Sequence, residues 1–198
     1  FARNSRSLVS TSPSARAVVG PPVWLAPAVV QVLTYRVLPV GGLRMLAAGR
    51  SAGRMGSAAG RTIEVGEAVP ESFDGVDIAL CSAGADISAA RAPAAVARGA
   101  TVIDNSNAWR MEPGIPLVVS QVNPGDLEEH EGIIANPNCS TLQLAPVLMA
   151  LRDAVGLERV VVDTSQSVAG AAPDATPALG ARHRPPPARP HRPATRLP

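Results

Sequence analysis

The most informative stretch of this 198-residue chain is residues 76–111, which read VDIALCSAGADISAARAPAAVARGATVIDNSNAWRM. Val76–Cys81 form a nearly continuous apolar run that ends in Ser82-Ala83-Gly84, a pattern typical of a buried parallel strand. A helix is expected from Ile87 to Arg98, followed by a second strand over Ala100–Asp104. Because a strand, a helix and another strand follow in this order, the stretch predicts a parallel sheet.

The same alternation continues on both sides of this stretch. Further strands are expected at Ala17–Gly20, Gly42–Ala48, Thr62–Val65, Leu117–Val119, Gly132–Ala135 and Leu157–Thr164, and further helices at Ala28–Leu38 and Thr141–Val155. The pattern indicates an α/β protein whose parallel sheet is covered by helices on both faces. Ligands of such sheets bind beyond the carboxyl ends of the strands, where Ser82-Ala83-Gly84, Asn105-Ser106 and Asn136–Cys139 are expected to lie.

The composition excludes several classes of protein. With 46% hydrophobic and 17% charged residues, the chain has enough apolar sequence for one domain, or one domain and part of another. No stretch of about 18 apolar residues is free of Pro, Gly and charge, so we expect no transmembrane helix. The two Cys form neither a disulfide framework nor a metal-binding spacing, and a reducing cytoplasm is the expected compartment.

The charge is distributed unevenly along the chain. All eighteen cations are Arg, and residues 1–20 and 181–198 hold eight of them and no acid. Residues 21–180 hold the other ten Arg and all sixteen acids, which gives this part a net charge of −6. A mildly acidic body with two basic ends is not typical of a nucleic-acid-binding protein.

The clearest chemical motif is Asn136-Pro137-Asn138-Cys139-Ser140-Thr141. A strand ends here, Pro137 blocks its continuation, and a helix begins at or just after Cys139. The partial positive charge at a helix N-terminus favours a thiolate, which is a nucleophile. Backbone N–H groups of the first turn and Asn138 would then be available for an oxyanion. The motif also fits a buried structural cysteine, the role expected for Cys81.

Several separated motifs together resemble the aspartate-β-semialdehyde dehydrogenase family. The similarity runs from about Arg36 through Gly170, with the motifs in the family's order: RSAGR (50–54), DIALCSAG (77–84), DNSNAWRM (104–111), GIIANPNCSTLQL (132–144) and DTSQSVAGA (163–171). The resemblance implies NADPH-dependent reductive dephosphorylation of L-aspartyl-β-phosphate to L-aspartate-β-semialdehyde, through a cysteine thioester, in the biosynthesis of Lys, Met and Thr. It also implies a small-molecule substrate, a homodimer or homotetramer, a cytoplasmic location, and no nucleic-acid or membrane partner.

The resemblance assigns roles to individual residues. Cys139 matches the nucleophile, Asn138 lies beside it, and Gln166 matches the glutamine that orients the substrate. Arg110 matches the arginine that holds the substrate phosphate, within the motif that also contains Asn107. The expected cofactor site for NADP comprises Gly20, Arg50, Ser51, Ser82, Ala83, Gly84, Ala169 and Gly170.

Arg50 and Ser51 match the turn that receives the 2′-phosphate of the cofactor. A cation and a hydroxyl, with no acid there, fit NADP better than NAD. By the same resemblance we expect a Rossmann-like NADP-binding domain over residues 17–138 and the beginning of a truncated α+β catalytic and dimerisation domain over 139–180. From their composition we expect a disordered segment over residues 1–16 and a disordered Pro- and Arg-rich tail over 181–198.

Two alternatives stay open. An N-acetyl-γ-glutamyl-phosphate reductase has the same fold and a cysteine thioester, although its motif usually reads Asn-Pro-Gly-Cys-Tyr. A non-catalytic Rossmann module that only pairs with a partner is the other alternative.

The chain departs from the family pattern in two places. The family has a GATGxVG loop where Gly20 is followed here by PPVWLAP, residues 21–27. The two prolines remove N–H donors and Trp24 adds bulk, so this loop should bind a dinucleotide poorly. A reading frame shifted by one base permits Ala-Thr-Gly-Val-Ala-Gly-Thr at this place, which is consistent with two compensating frameshifts over residues 20–28.

The family resemblance also stops soon after Gly170. A further frameshift between Ala171 and Arg182 would explain the composition of the tail. We therefore expect a truncated chain with little or no activity.

Overall fold

The computed structural model describes residues 14–19, 29, 31–33, 40–58 and 61–165. The strands of these residues are β1 (Ser14–Val19), β2 (Val40–Ala47), β3 (Met55–Ala58), β4 (Arg61–Glu67), β5 (Ile78–Cys81), β6 (Thr101–Asp104) and β7 (Ile133–Ala135). The long helices are α1 (Ala85–Ala97) and α2 (Cys139–Val155), and short 3-10 helices span Gly49–Ser51, Pro70–Phe73 and Pro124–Glu129. None of the helices in these residues is long and apolar enough to cross a membrane. The chain divides into two units, Phe1–Leu157 and Glu158–Pro198, and all these elements lie in the first.

The strands form one sheet in the order β3-β4-β2-β1-β5-β6-β7. All neighbouring pairs are parallel except β3 and β4, which are antiparallel. Without β3, the six parallel strands follow the order 3-2-1-4-5-6 of a doubly wound dinucleotide-binding sheet. The strand order reverses between β1 and β5, where Val19 pairs with Cys81. The carboxyl ends of β1 and β5 therefore flank the crevice in which such sheets bind their ligands.

One face of the sheet packs against α1. Val19, Cys81 and Val102 belong to a buried cluster that also contains Ala92 and Ala95 of α1, both fully buried. Because alanine has the smallest chiral side chain, α1 can lie close to the sheet, and an alanine-rich sequence therefore supplies the cover that this face needs.

The other face has its own cluster, because successive strand residues point to opposite sides. The helical residues Val29 and Leu33 pack against it. Its buried members are Val18, Met45, Ala47 and Val65. Helical segments thus cover both faces, and the predicted Rossmann-like α/β fold is confirmed.

Two strands expected from the sequence are wrong, and one observed strand was not expected. Leu117–Val119 is not a strand but contributes one bridge, between Leu117 and Ala135. Leu157–Thr164 has no regular structure, because an apolar composition alone does not form a strand without a hydrogen-bonded ladder. The antiparallel strand β3 was not predicted, since MGSA lacks an alternating apolar pattern. Of the helix predicted over Ala28–Leu38, residues 29 and 31–33 are helical and the others lie outside the described residues.

Candidate active site

Cys139 is the first residue of α2 and its side chain is exposed. Asn138 is the N-cap of this helix: its Oδ1 accepts hydrogen bonds from the backbone N–H of Ser140 at 3.0 Å and from the Ser140 hydroxyl at 2.7 Å. The Cys139 Sγ lies 3.6 Å from the same oxygen. The Asn138 Nδ2 group donates to no acceptor in the described part of the chain. It is therefore available to a ligand at Cys139.

Arg110 is held by two backbone carbonyls. Its Nε–H donates to the carbonyl oxygen of Asn136 at 2.9 Å, and its Nη2 group donates to that of Asn105 at 3.1 Å. Asn136 follows β7 and Asn105 follows β6, so both carbonyls come from the carboxyl edge of the sheet. Two of the five guanidinium N–H groups are used in these bonds. Arg110 is thus fixed next to the segment that leads into Cys139, with the Nη1 donors remaining for an anion.

Side-chain amides connect three of the loops at this edge. The Asn136 Nδ2 group donates to the Asn105 Oδ1 atom at 2.9 Å, and the Asn105 Nδ2 group lies 3.5 Å from the Ser82 hydroxyl oxygen. Both asparagines were predicted to lie at strand ends, but no role was predicted for them. The structure shows that they join the loops after β5, β6 and β7.

The residues expected at the cofactor lie along the same edge. Ser82 donates its N–H to the carbonyl oxygen of Val19 at 2.7 Å, which brings its loop to the end of β1. Gly84 is the N-cap of α1 with a φ of 94°, a conformation that favours glycine. A Cβ built on Gly84 would meet no atom within 4 Å, so there is open space beside the backbone here. Together with the half-buried Ala83, Gly84 thus lies at the crevice between β1 and β5.

The turn after β2 differs from the expectation in one respect. Gly49–Ser51 form a 3-10 helix in which Ser51 donates its N–H to the Ala48 carbonyl oxygen at 2.8 Å. The turn itself contains no acid, as the sequence indicated, but an acid on the neighbouring strand approaches it. Since Ala47 pairs with Glu67 across β2 and β4, the Glu67 Oε1 atom lies only 2.9 Å from the position of a Cβ on Gly49. A carboxylate therefore lies beside the turn expected to receive the 2′-phosphate.

The structure says less about the other residues that were expected at the substrate and cofactor sites. Asn107 is exposed, and its side chain forms no hydrogen bond to the residues that the structure describes. The backbone of Arg50 belongs to the 3-10 helix after β2. Gly20, Gln166, Ala169 and Gly170 lie outside the described residues.

The second cysteine has a different environment. Cys81 is 2% exposed within β5, as the sequence predicted. Burial, and secondarily the Asp104 carboxylate on the neighbouring strand, raise the pKa of the Cys81 thiol to about 12. Cys81 is therefore a protonated core residue, and Cys139 is the accessible thiol of the two.

Comparisons with known proteins identify the family to which the chain is similar. A family model described as "Semialdehyde dehydrogenase, NAD binding domain" matches residues 24–130. The chain is 48% identical over 163 residues to an aspartate-semialdehyde dehydrogenase of Bacillus subtilis, covering 82% of this chain and 47% of that protein.

Solved structures show the same relationship. The crystal structure of aspartate semialdehyde dehydrogenase II from Vibrio cholerae matches with a TM-score of 0.78 and 41% identity, over 85% of this chain and 51% of that one. A second structure of that protein, described as complexed with ASA, matches with a TM-score of 0.69 and 41% identity, over 75% of this chain and 49% of that one. The chain thus spans about half the length of the relatives that it matches.

Proposed function

Because this chain belongs to the semialdehyde dehydrogenase family through its NAD-binding domain, we propose that it carries the acyl-transfer site of an aspartate-semialdehyde dehydrogenase. The substrate of the proposed reaction is L-aspartyl-β-phosphate, and the product is L-aspartate-β-semialdehyde. The observation that supports this most directly is the exposed thiol of Cys139 at the start of α2, three residues after the carbonyl that holds Arg110.

In the first step, the Cys139 thiolate attacks the acyl carbon of the substrate. A sulfur–carbon bond forms, the carbon–oxygen bond to phosphate breaks, and phosphate leaves with that electron pair, which gives a thioester on Cys139. The α2 N-terminus favours the thiolate and the Asn138 Nδ2 group can donate to the oxyanion. Gln166 is proposed to orient the substrate.

Arg110 is proposed to bind the phosphate that leaves. Its two bonds to backbone carbonyls fix the guanidinium plane, so the free donors are already oriented when an anion arrives. A planar guanidinium can hold two phosphate oxygens at once, which a lysine ammonium cannot do in the same geometry. Asn107, exposed in the same loop, is a second proposed contact for the phosphate.

NADPH, when bound, supplies the hydride that reduces the thioester to the aldehyde and releases the Cys139 thiolate. The residues proposed to hold it are the loop Ser82-Ala83-Gly84 and the turn that contains Arg50 and Ser51, with Gly20, Ala169 and Gly170. The open backbone at Gly84 supports this placement at the crevice. The Glu67 carboxylate opposes a 2′-phosphate at the turn, and we propose that Arg50 offsets it.

We propose that this 198-residue polypeptide has little or no dehydrogenase activity. In the part of the chain that the structure describes, the one histidine is His130, whose Nδ1 atom accepts the N–H of Gly132 at 3.0 Å. His130 precedes β7 and Cys139 follows it, so the two lie at opposite ends of that strand. His130 is therefore not placed to transfer protons at Cys139, and the two prolines at residues 21 and 22, which lack N–H donors, disfavour binding of the cofactor.

From the family resemblance we also propose that the protein assembles as a homodimer or homotetramer and that it is located in the cytoplasm.

The first step can be tested without the reduction. The purified chain is incubated with L-aspartyl-β-phosphate or with N-acetyl-γ-glutamyl phosphate, and acylated cysteines are identified by peptide mass spectrometry. We expect an aspartyl group on Cys139, none on Cys81, and little transfer from the glutamyl compound. Cys139→Ser is the control. Preferential transfer from N-acetyl-γ-glutamyl phosphate would support the alternative reductase, and no transfer from either compound would contradict an acyl-transfer site.

A further inference from the structure

Asp104 is a buried carboxylate that the proposed chemistry does not use. It ends β6, its side chain is completely buried, and no described cation contacts it. Its Oδ1 atom accepts the Ser88 hydroxyl at 2.5 Å, and its Oδ2 atom accepts the backbone N–H of Ser106 at 3.0 Å and the Ser106 hydroxyl at 2.6 Å. Burying a charge is costly unless hydrogen bonds compensate for it. The buried Asp104 carboxylate therefore needs a structural or functional explanation.

These hydrogen bonds lead into the loop that ends at Arg110. The Ser106 hydroxyl oxygen also accepts the backbone N–H of Ala108 at 3.1 Å. The Ser88 hydroxyl oxygen also accepts the Trp109 Nε1–H at 2.9 Å. Three of the four residues before Arg110 are thus bound to Asp104 directly or through one serine hydroxyl.

We propose that Asp104 is the positioning residue for Arg110, which it fixes by anchoring residues 106–109 to α1 and β6. The guanidinium of Arg110 reaches the carbonyl oxygens of Asn136 and Asn105 only if residues 106–109 keep their backbone conformation. The inference rests on the proposed function in one respect, namely that the oriented Arg110 binds a phosphate group. A merely structural Asp104 would stabilise the core without any specific effect on Arg110.

Substitution of Asp104 by Asn separates these roles. The amide oxygen of Asn can keep the Ser106 hydrogen bonds, but the amide nitrogen faces Ser88, whose hydroxyl then loses the acceptor for its O–H and must reorient beside the Trp109 donor. We expect Arg110 to lose part of its orientation. The readout is the Nε–H signal of Arg110 in ¹⁵N NMR, assigned by its absence in Arg110→Gln.

In the wild-type chain, the hydrogen bond to Asn136 should protect this proton from exchange with water. In Asp104→Asn, we expect exchange to accelerate at least about fivefold, which corresponds to the loss of a typical hydrogen bond, while the backbone N–H of Val65 stays protected. Asp74→Asn makes the same chemical change at an exposed carboxylate paired with Arg98 and should have no effect. Unchanged exchange at Arg110 in a folded Asp104→Asn protein would overturn the proposal.

Two milder variants keep the carboxylate if Asp104→Asn does not fold. Ser88→Ala and Trp109→Phe each remove the link between Trp109 and Ser88, and both should accelerate exchange at Arg110 to a smaller extent. Unchanged exchange in both would also overturn the proposal.

Inorganic phosphate separates this inference from the proposed function. Titrated against the same signal, it should bind the wild-type chain and bind Asp104→Asn about fivefold more weakly. If phosphate does not perturb the wild-type signal, the proposed phosphate site fails, and the exchange rates still decide whether Asp104 positions Arg110.

Discussion

Arg110 donates its Nε–H to the carbonyl oxygen of Asn136, 2.9 Å away, and so binds the residue that follows the strand before the cysteine helix. The remaining guanidinium donors of Arg110 and the thiol of Cys139 are therefore linked by backbone rather than by flexible side chains alone. A substitution that keeps the charge but changes the geometry should reveal this.

We expect Arg110→Lys to lower the second-order rate of aspartyl transfer to Cys139 about 10- to 100-fold. A lysine ammonium keeps the positive charge but cannot bind both carbonyls and present a planar pair of donors. The rate is measured by mass spectrometry at low concentrations of L-aspartyl-β-phosphate. Arg152→Lys, at an exposed arginine of α2 paired with Asp153, is the matched control. A wild-type rate in Arg110→Lys would show that bidentate binding at Arg110 is unimportant.

The two functions proposed for Asn138 can be separated by two variants. Asn138→Ala removes the cap of α2 and should destabilise it by about 1 kcal/mol, whereas serine is itself a good cap. Both variants lose the amide donor, so both should slow aspartyl transfer about tenfold or more. Helix stability is followed by hydrogen exchange at the Ser140 backbone N–H. If Asn138→Ser transfers at the wild-type rate, Asn138 acts as a cap alone.

Cys81 makes the stability of the fold sensitive to alkaline pH. Burial and, secondarily, Asp104 raise its pKa from 9.0 to about 12, so the folded protein holds this proton more tightly than the unfolded chain. This contribution is complete below pH 9. Between about pH 9 and 12, only the unfolded chain loses the proton, and the free energy of unfolding should fall by up to about 1.4 kcal/mol per pH unit.

Urea unfolding of the wild-type chain and Cys81→Ala between pH 7 and 11 measures this effect. The chain has no Lys and one Tyr, so few other groups titrate in this range. Cys81→Ala should be less stable at pH 7 because it leaves a small cavity, but its stability should depend less on pH. Parallel pH profiles for the two proteins would contradict the account.

Glu67 should weaken the binding of a 2′-phosphate at the turn after β2. Removing its charge in Glu67→Gln should strengthen the binding of adenosine 2′-monophosphate severalfold and leave adenosine 5′-monophosphate almost unchanged, as measured by NMR titration. Glu64→Gln, on the same strand, controls for net charge. Equal changes for both nucleotides would place the 2′-phosphate elsewhere.

The sequence predicted most of the sheet because its strands carry their own signals. VDIALC and ATVID are apolar runs that are followed by Gly, Ser or Asn residues. The observed strands β5 and β6 lie within these two runs. The helix at Cys139 was predictable from Pro137, the capping Asn138 and the apolar spacing that follows. By contrast, the apolar run at 157–164 has the composition of a strand but has no regular structure, since composition does not specify strand pairing.

The site was predictable only where a motif is local. Cys139 and Arg110 each belong to a recognisable stretch, whereas the approach of Glu67 to Gly49 depends on the register of two parallel strands. The Ser88–Asp104 hydrogen bond joins residues 16 positions apart, and the Arg110–Asn136 bond joins residues 26 apart. Such contacts follow from tertiary packing, which no local pattern in the sequence specifies.

We propose that Cys139 is a reactive thiol within a phosphate site formed by Arg110. The test is alkylation of the folded chain by limiting iodoacetamide, with and without inorganic phosphate. We expect label on Cys139 and not on Cys81, slower labelling of Cys139 in phosphate, and no such protection in Arg110→Gln. Equal labelling of the two cysteines, or a Cys139 rate that phosphate leaves unchanged, would contradict the claim.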